Sequence, residues 1–396
     1  MTSGLRIIVT GLVAQYPLGG VTWDYLQYVL GLSRMGHDVY YLEDTGQWPY
    51  NPLEGGLAKG CSYNVDYLAA VMDRVGLGDH WMYRFPWESQ WFGISGKRRD
   101  EVFRTTDLLI NVSGTLDNPA EYRSVRRMAY IDSDPGFTQV KLARGQVDFQ
   151  RIVDIHDIQF SFGECLSDKV PDTGHTWRPT RQPIVLSEWH PSAPHRETYT
   201  TVMNWTSYKS VSFNGRKYGQ KDIEFERFMD LPSSVPDTQL EIAVNAGKTH
   251  CTPRDRLVHN GWRVVEPDEV CPDLESYRSY IESSKAEWST AKNGYIVGQT
   301  GWFSCRSACY LAAGRPVIVQ DTGFSKVIPV GEGILTFSSM DEAIEAINRV
   351  ETDYPHHALA AREIAEQYFD SDQVLGHLID EAMADSADDV GGRISR

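Results

Sequence analysis

Short unbroken apolar runs alternate with longer stretches in which apolar residues recur at helical spacing, and this alternation appears twice along the chain. Residues 5–10, LRIIVT, form a run rich in β-branched side chains, the pattern of a parallel strand buried on both faces. A loop bearing Gly and Pro follows at 11–20, GLVAQYPLGG, and then Tyr25, Leu26, Val29 and Leu32 line one face of a helix. Gly36 supplies its stop, and 39–42 is the next strand, ending at Glu43-Asp44. Val65, Leu68, Ala69 and Met72 mark another helix, while 107–112, 127–131 and part of 152–162 read as strands. Segment 81–92, WMYRFPWESQWF, is dense in aromatic residues without a clean period; it suits either an acceptor-site wall or a packed lid.

Residues 167–197, rich in Pro, His, Trp and Arg, interrupt the pattern, and a linker is expected at 180–197. The second series then places strands at 199–203, 239–244, 262–265, 295–298 and 316–320. It places helices at 221–230, 253–259, 273–283, 305–313, 340–350, 356–369 and 371–384. Two such series predict an α/β chain of two doubly wound, Rossmann-like domains facing a cleft. The expected units are 1–182, on the acceptor side, and 183–370, which would bind a nucleotide sugar. A helix at 371–384 would cross back onto the first unit, carried by the stripe Leu375, Leu378, Ile379 and Met383, and a flexible tail would follow at 385–396. Ligands of such sheets bind beyond the carboxyl ends of the strands, which directs attention to the cleft.

Composition narrows the function. The 396 residues are 41% hydrophobic and 23% charged, enough for sizeable cores. No apolar run approaches the ~18 residues of a membrane span. The net charge of −16 disfavours nucleic acid as the main partner without excluding it. The 6 cysteines form no CxxC pair and no zinc-like cluster with His; Cys305 and Cys309 share a helix face as core thiols, and no metal site is expected. The chain runs into its first strand without a charged and then apolar leader, so the expected compartment is the reducing cytoplasm.

The densest chemistry lies at 299–337, QTGWFSCRSACYLAAGRPVIVQDTGFSKVIPVGEGILTF. Ser304 can cap a helix whose first-turn amides lack internal partners. Arg306 falls in that first turn, where the helix dipole disfavours a cation, and a phosphate bound beside Arg306 and Ser307 would relieve the mismatch. Removing Arg306 is then expected to weaken nucleotide binding and leave the fold intact. The strand at 316–320 ends in Asp321-Thr322-Gly323, suited to holding sugar hydroxyls or to capping a turn.

These residues resemble the donor-binding half of GT-B glycosyltransferases. Gly301-Trp302-Phe303-Ser304, Ala313-Gly314-Arg315-Pro316-Val317 and Gln320-Asp321-Thr322-Gly323 are similar, in order and spacing, to motifs of the family-one type. PLGGVTWDYLQYVLGLSRMGHDVYYLE at 17–43 resembles the glycine loop, helix and Gly-His-Asp-Val strand of the family-four type, with Gly19 and Gly20 as the phosphate-approaching glycines. Gly301 and Cys309 stand where the family-four type has paired glutamates, and 11–20 lacks the histidine of the family-one type, so neither catalytic group carries over. Asp132 and Asp134 follow the strand after which the family-four type often has a functional histidine. A carboxylate there could take an acceptor's proton or stabilise positive charge, or belong to a solvated turn. Lys209, Lys221 and Lys292 lie near predicted strand–helix junctions, and the resemblance implies cations there that face a diphosphate.

The resemblance implies metal-independent transfer of a sugar from a nucleotide-diphosphate sugar, with a UDP-sugar as the expected co-substrate, to a small-molecule or glycan hydroxyl. Alternatives are a sugar-nucleotide epimerase on the same fold, a DNA-base glycosyltransferase and a non-catalytic sugar-nucleotide-binding protein.

Overall fold

The computed structural model describes residues 4–245 and 252–384, so the tail expected at 385–396 lies outside the described residues. The chain builds two main sheets. The first contains β1 (Arg6–Thr10), β2 (Asp38–Glu43), β3 (Trp81–Phe85), β4 (Gln90–Gly93), β5 (Leu108–Val112), β6 (Arg127–Asp132), β7 (Ile158–Ser161) and β8 (Trp177–Pro179), in the order β8-β7-β6-β5-β1-β2-β3-β4. Neighbours are parallel except the outer pair β3 and β4. The aromatic segment 81–92 is therefore an edge hairpin. Trp81, Tyr83 and Phe85 join one core layer while Met82 joins the layer on the other face, so polar and apolar residues do not alternate and the strand escapes a period-2 search.

The second sheet contains β9 (Thr198–Asn204), β10 (Gln239–Asn245), β11 (Arg263–Val265), β12 (Ala286–Ser289), β13 (Val317–Gln320) and β14 (Ile334–Phe337), all parallel, in the order β11-β10-β9-β12-β13-β14. Five helices shape the space between the sheets: α1 (Gly19–Arg34), α2 (Leu274–Ser283), α3 (Asn293–Gly298), α4 (Cys305–Ala312) and α5 (Ser371–Met383). Residues 295–298 correct the sequence expectation, because they are helical, within α3, and not a strand. The short run YIVG has no length from which strand and buried helix can be told apart. The strand of that region is β12, AEWS, whose polar Glu287 and Ser289 are buried and hidden from an apolar-run criterion. β14 was likewise unanticipated.

The two sheets share a continuous core. The indole of Trp23 on α1 donates to the carbonyl of Leu274 on α2 at 2.9 Å and lies 5.0 Å from the ring of Trp189. Gly19 is required by this seam, since a Cβ there would stand 2.1 Å from the carbonyl oxygen of Asp273. The segment 180–197 and the returning chain run side by side: Ile184 donates to the carbonyl of Phe369 at 2.7 Å, and Ser371 donates to that of Ile184 at 2.9 Å. From there α5 packs on α1 and β6, with Leu375, Leu378, Ile379 and Ala382 buried. No helix among the described residues is long and apolar enough to cross a membrane.

Leu375 is 0% exposed in this contact. Leu375→Ala is expected to lower unfolding free energy by about 2–5 kcal/mol, read from urea denaturation at pH 7. A change within about 0.5 kcal/mol would show that α5 contributes no packing to the first sheet.

Candidate active site

A cavity of about 550 Å³ lies between the sheets, at the carboxyl ends of the strands. One wall comes from the loops after β1, β5 and β6 and from the start of α1, bringing Leu12, Gly20, Asp24, Ser113 and Asp134 to the lining. The opposite wall brings Met203, Lys221, Lys292, Trp302, Ser304 and Arg306. Of the residues anticipated from sequence, this lining therefore unites Gly20, Asp134, Lys221, Lys292, Ser304 and Arg306.

Their chemistry departs from expectation in several places. Ser304 is the N-cap residue of α4, but its side chain makes no capping bond. Arg306 is not a cation awaiting an anion. Its Nε donates to Glu287 Oε1 at 2.6 Å, one Nη to the carbonyl of Val202 at 2.7 Å and the other to Ser289 Oγ at 2.9 Å. Glu287 is fully buried, and its charge answers the arginine at the helix start. β12 was missed in the sequence, and its carboxylate was missed with it. The edge of Arg306 still faces the cavity. Ser307 is buried outside the lining, and its Oγ has no partner among the described residues.

Asp134 and Lys292 are brought together as partners across the cleft. Lys292 Nζ lies 2.9 Å from Asp134 Oδ1 and 2.9 Å from the hydroxyl of Tyr208, above the rings of Phe137, Tyr208 and Tyr295. The hydroxyls of Tyr208 and Tyr295 also donate to Asp134. Burial would raise this carboxyl, but Lys292 and the two hydroxyls outweigh it and hold Asp134 below its usual range. Asp132 lies outside the lining. It accepts hydrogen bonds from Thr138 Oγ1 at 2.7 Å, the Asp134 amide at 3.0 Å, Gln139 Nε2 at 3.0 Å and Ser161 Oγ at 2.9 Å. A carboxylate so completely engaged braces the loop after β6 and has no oxygen turned to substrate.

The loop after β13 is also directed inward on itself. Asp321 accepts from the amide of Gly323 at 2.8 Å and from Ser325 Oγ at 2.6 Å, an Asx turn, and Thr322 is buried with its hydroxyl on the carbonyl of Trp302. Gly301 and Gly323 have φ of 83° and 98° and knit the turns before α4 and after β13, where the Gly301 amide donates to Thr322 O at 2.9 Å. None of Asp321, Thr322, Gly301 and Gly323 lines the cavity. Lys209 is exposed and also outside it, and Gly19 serves the α1–α2 seam.

Of the charged side chains in the lining that are not exposed, two make no hydrogen bond or ion pair among the described residues. Lys221 is pushed well below the ordinary lysine value by burial and by repulsion from Arg306 and Lys292, with Glu287 opposing. Asp24 was not singled out from sequence, yet burial pushes its carboxyl up from 3.8 to about 7 against the pull of Arg306. The signal was present: in GGVTWDYLQYVLGLSR it is the one acidic residue of an otherwise mainly apolar helix. No group of three or more His, Cys, Asp or Glu among the described residues is arranged to hold a metal ion.

The Glu287–Arg306 pair gives a prediction opposite to the sequence expectation. Arg306→Ala leaves a buried carboxylate without its cation and should destabilise the fold by about 3–5 kcal/mol in urea denaturation. Unchanged stability would show that the arginine serves only a ligand.

Comparison with models of known protein families finds no match, and no curated protein sequence matches the chain. Solved structures do. An α-glucosyltransferase in complex with UDP and a 13-mer DNA superposes with a TM-score of 0.61 at 12% identity, covering 96% of this chain and 100% of that one. HepE of Anabaena, in complex with UDP and glucose, gives 0.56 at 10% identity, covering 95% and 99%. Sucrose-phosphate synthase from Thermosynechococcus elongatus gives 0.54 at 12% identity, covering 95% and 98%. The superpositions span nearly the whole of both chains in each pair, and the chain has the GT-B fold of these glycosyltransferases.

Proposed function

We propose that the cleft binds a nucleotide-diphosphate sugar and transfers its sugar to an acceptor hydroxyl. The observation that carries this reading is Lys221, a half-buried lysine in the cavity wall with no counter-ion in contact among the described residues, beside Arg306 and Lys292. Burying an unpaired ammonium is costly, and a diphosphate would supply the missing charge while gaining a charge-assisted bond. The first turn of α4, with Ser304, Cys305 and Arg306, belongs to the same lining, and its dipole would add stabilisation for a leaving diphosphate. Fold neighbours crystallised with UDP support a uridine nucleotide as donor. The acidic balance of the chain, −16, favours an uncharged acceptor over a polyanion.

Lys221 makes the reading testable. Its depressed pKa means the ligand-free protein loses this charge as pH rises, whereas bound diphosphate retains the proton. UDP binding followed by calorimetry should therefore take up protons at alkaline pH, and affinity should fall as pH rises. Lys221→Ala should weaken UDP binding about 10–100-fold, the value of a hydrogen bond to a charged group. Equal affinity in wild type and variant would remove the diphosphate from this wall.

A further inference from the structure

Three carboxylates reach the cavity: Asp24, Asp134 and Asp268. Asp134 is occupied by Lys292, Tyr208 and Tyr295, and Asp268 is exposed at the rim. Asp24 is half-buried in the lining, and its carboxylate makes no hydrogen bond or ion pair among the described residues. Its backbone is fixed: Gln182 donates to the Asp24 carbonyl at 2.9 Å, and the preceding residue, Trp23, is anchored on α2. The side chain is thus held by a rigid helix and presented to the cavity with no structural task of its own.

Asp24 stands on the first-sheet wall, whereas Lys221 and Arg306 stand on the second. The titratable groups around it are Tyr25 and Tyr28 on its own helix, Tyr277 on α2, and Cys305, Arg306 and Cys309 on α4. Burial pushes those tyrosines and thiols up, which leaves Arg306 as the charged one among them near neutral pH. A carboxyl lifted to about 7 can both accept a proton and release it again near neutrality.

We propose that Asp24 is the catalytic residue that takes the proton from the acceptor hydroxyl during transfer, an assignment that rests on the reading of the cleft as a nucleotide-sugar site. The acceptor O–H bond breaks and its proton passes to the Asp24 carboxylate. The acceptor oxygen forms a bond to the anomeric carbon, and the bond from that carbon to the diphosphate oxygen breaks. Its electron pair leaves with the nucleoside diphosphate toward Lys221 and Arg306. Proton acceptor and leaving-group cations line the same cavity from different elements, so that one site serves both bond changes.

The test compares wild type with Asp24→Asn, using UDP-glucose with water as the acceptor and UDP release as the readout. The variant should bind UDP within about threefold of wild type, because the lost group touches the acceptor and not the nucleotide. Its UDP release should be about 100-fold slower or worse, and the acid limb of the wild-type rate profile, centred near pH 7, should vanish. Urea unfolding of the ligand-free proteins checks the fold and the protonation state together. A carboxyl whose folded pKa is raised from 3.8 to about 7 costs nothing below the lower value and costs progressively more up to the higher one. Asp24→Asn should therefore gain stability relative to wild type across that window. Turnover by Asp24→Asn within about threefold of wild type, with the acid limb intact, would overturn the assignment while leaving the cleft reading in place. A wild-type protein that binds none of UDP, dTDP, GDP and ADP would overturn the cleft reading and the assignment with it.

Discussion

The indole of Trp23 is buried between the two halves of the molecule, bonded to the carbonyl of Leu274 and packed against Trp189. This contact sets how near α1 can come to α2, and hence how far apart the two sheets stand at the ends of their strands. Gly19 removes the one Cβ that would prevent the approach, and the returning helix α5 holds α1 from the other side. The next residue along the helix, Asp24, owes its place in the cavity to that seam. A single helix therefore carries both the contact between the halves and a cavity carboxylate without a partner among the described residues.

Charge is distributed in the cleft according to whether it is paired. Arg306 is paired with Glu287 through one carboxylate oxygen, and Asp134 with Lys292, and each pair is supported by further hydrogen bonds. Breaking such a pair exposes an uncompensated buried charge, and its main effect falls on the structure. Lys221 and Asp24 are half-buried and have no such partner among the described residues. Unpaired buried charges are costly to a resting protein, and a ligand that completes them recovers that energy on binding. The division explains why residues with conspicuous sequence motifs turn out to be braces, while the two unpaired groups stand elsewhere.

Likeness to solved glycosyltransferases reaches the fold, at identities of 10–12%. At that distance the backbone arrangement persists while side chains at corresponding places are replaced. Gly301 and Cys309 illustrate this: the first is a tight turn against Cys165 and the second a core thiol, where the resembled type has paired acids. The site has to be read from the burial and partnering of this chain's own residues.

By itself the sequence determined the elements whose signal is local. Runs such as RIIVT and VIVQ are buried on both faces, so hydrophobicity alone marks them as parallel strands, and the stripe of Leu375, Leu378 and Ile379 marks a helix that must cover something. The glycine-bearing turns were legible too, because their backbone demands are local. Tertiary structure decided what each polar side chain meets. Whether Arg306 faces a phosphate or Glu287 depends on β12, a strand disguised by its own buried acid; whether Asp132 or Asp24 is free depends on hydroxyls and amides from other elements. Hydrophobic burial is a property of a segment and its period, and can be read along the chain. The fate of a charge is set by partners distant in sequence and by the water that folding removes, and only the folded chain brings those together.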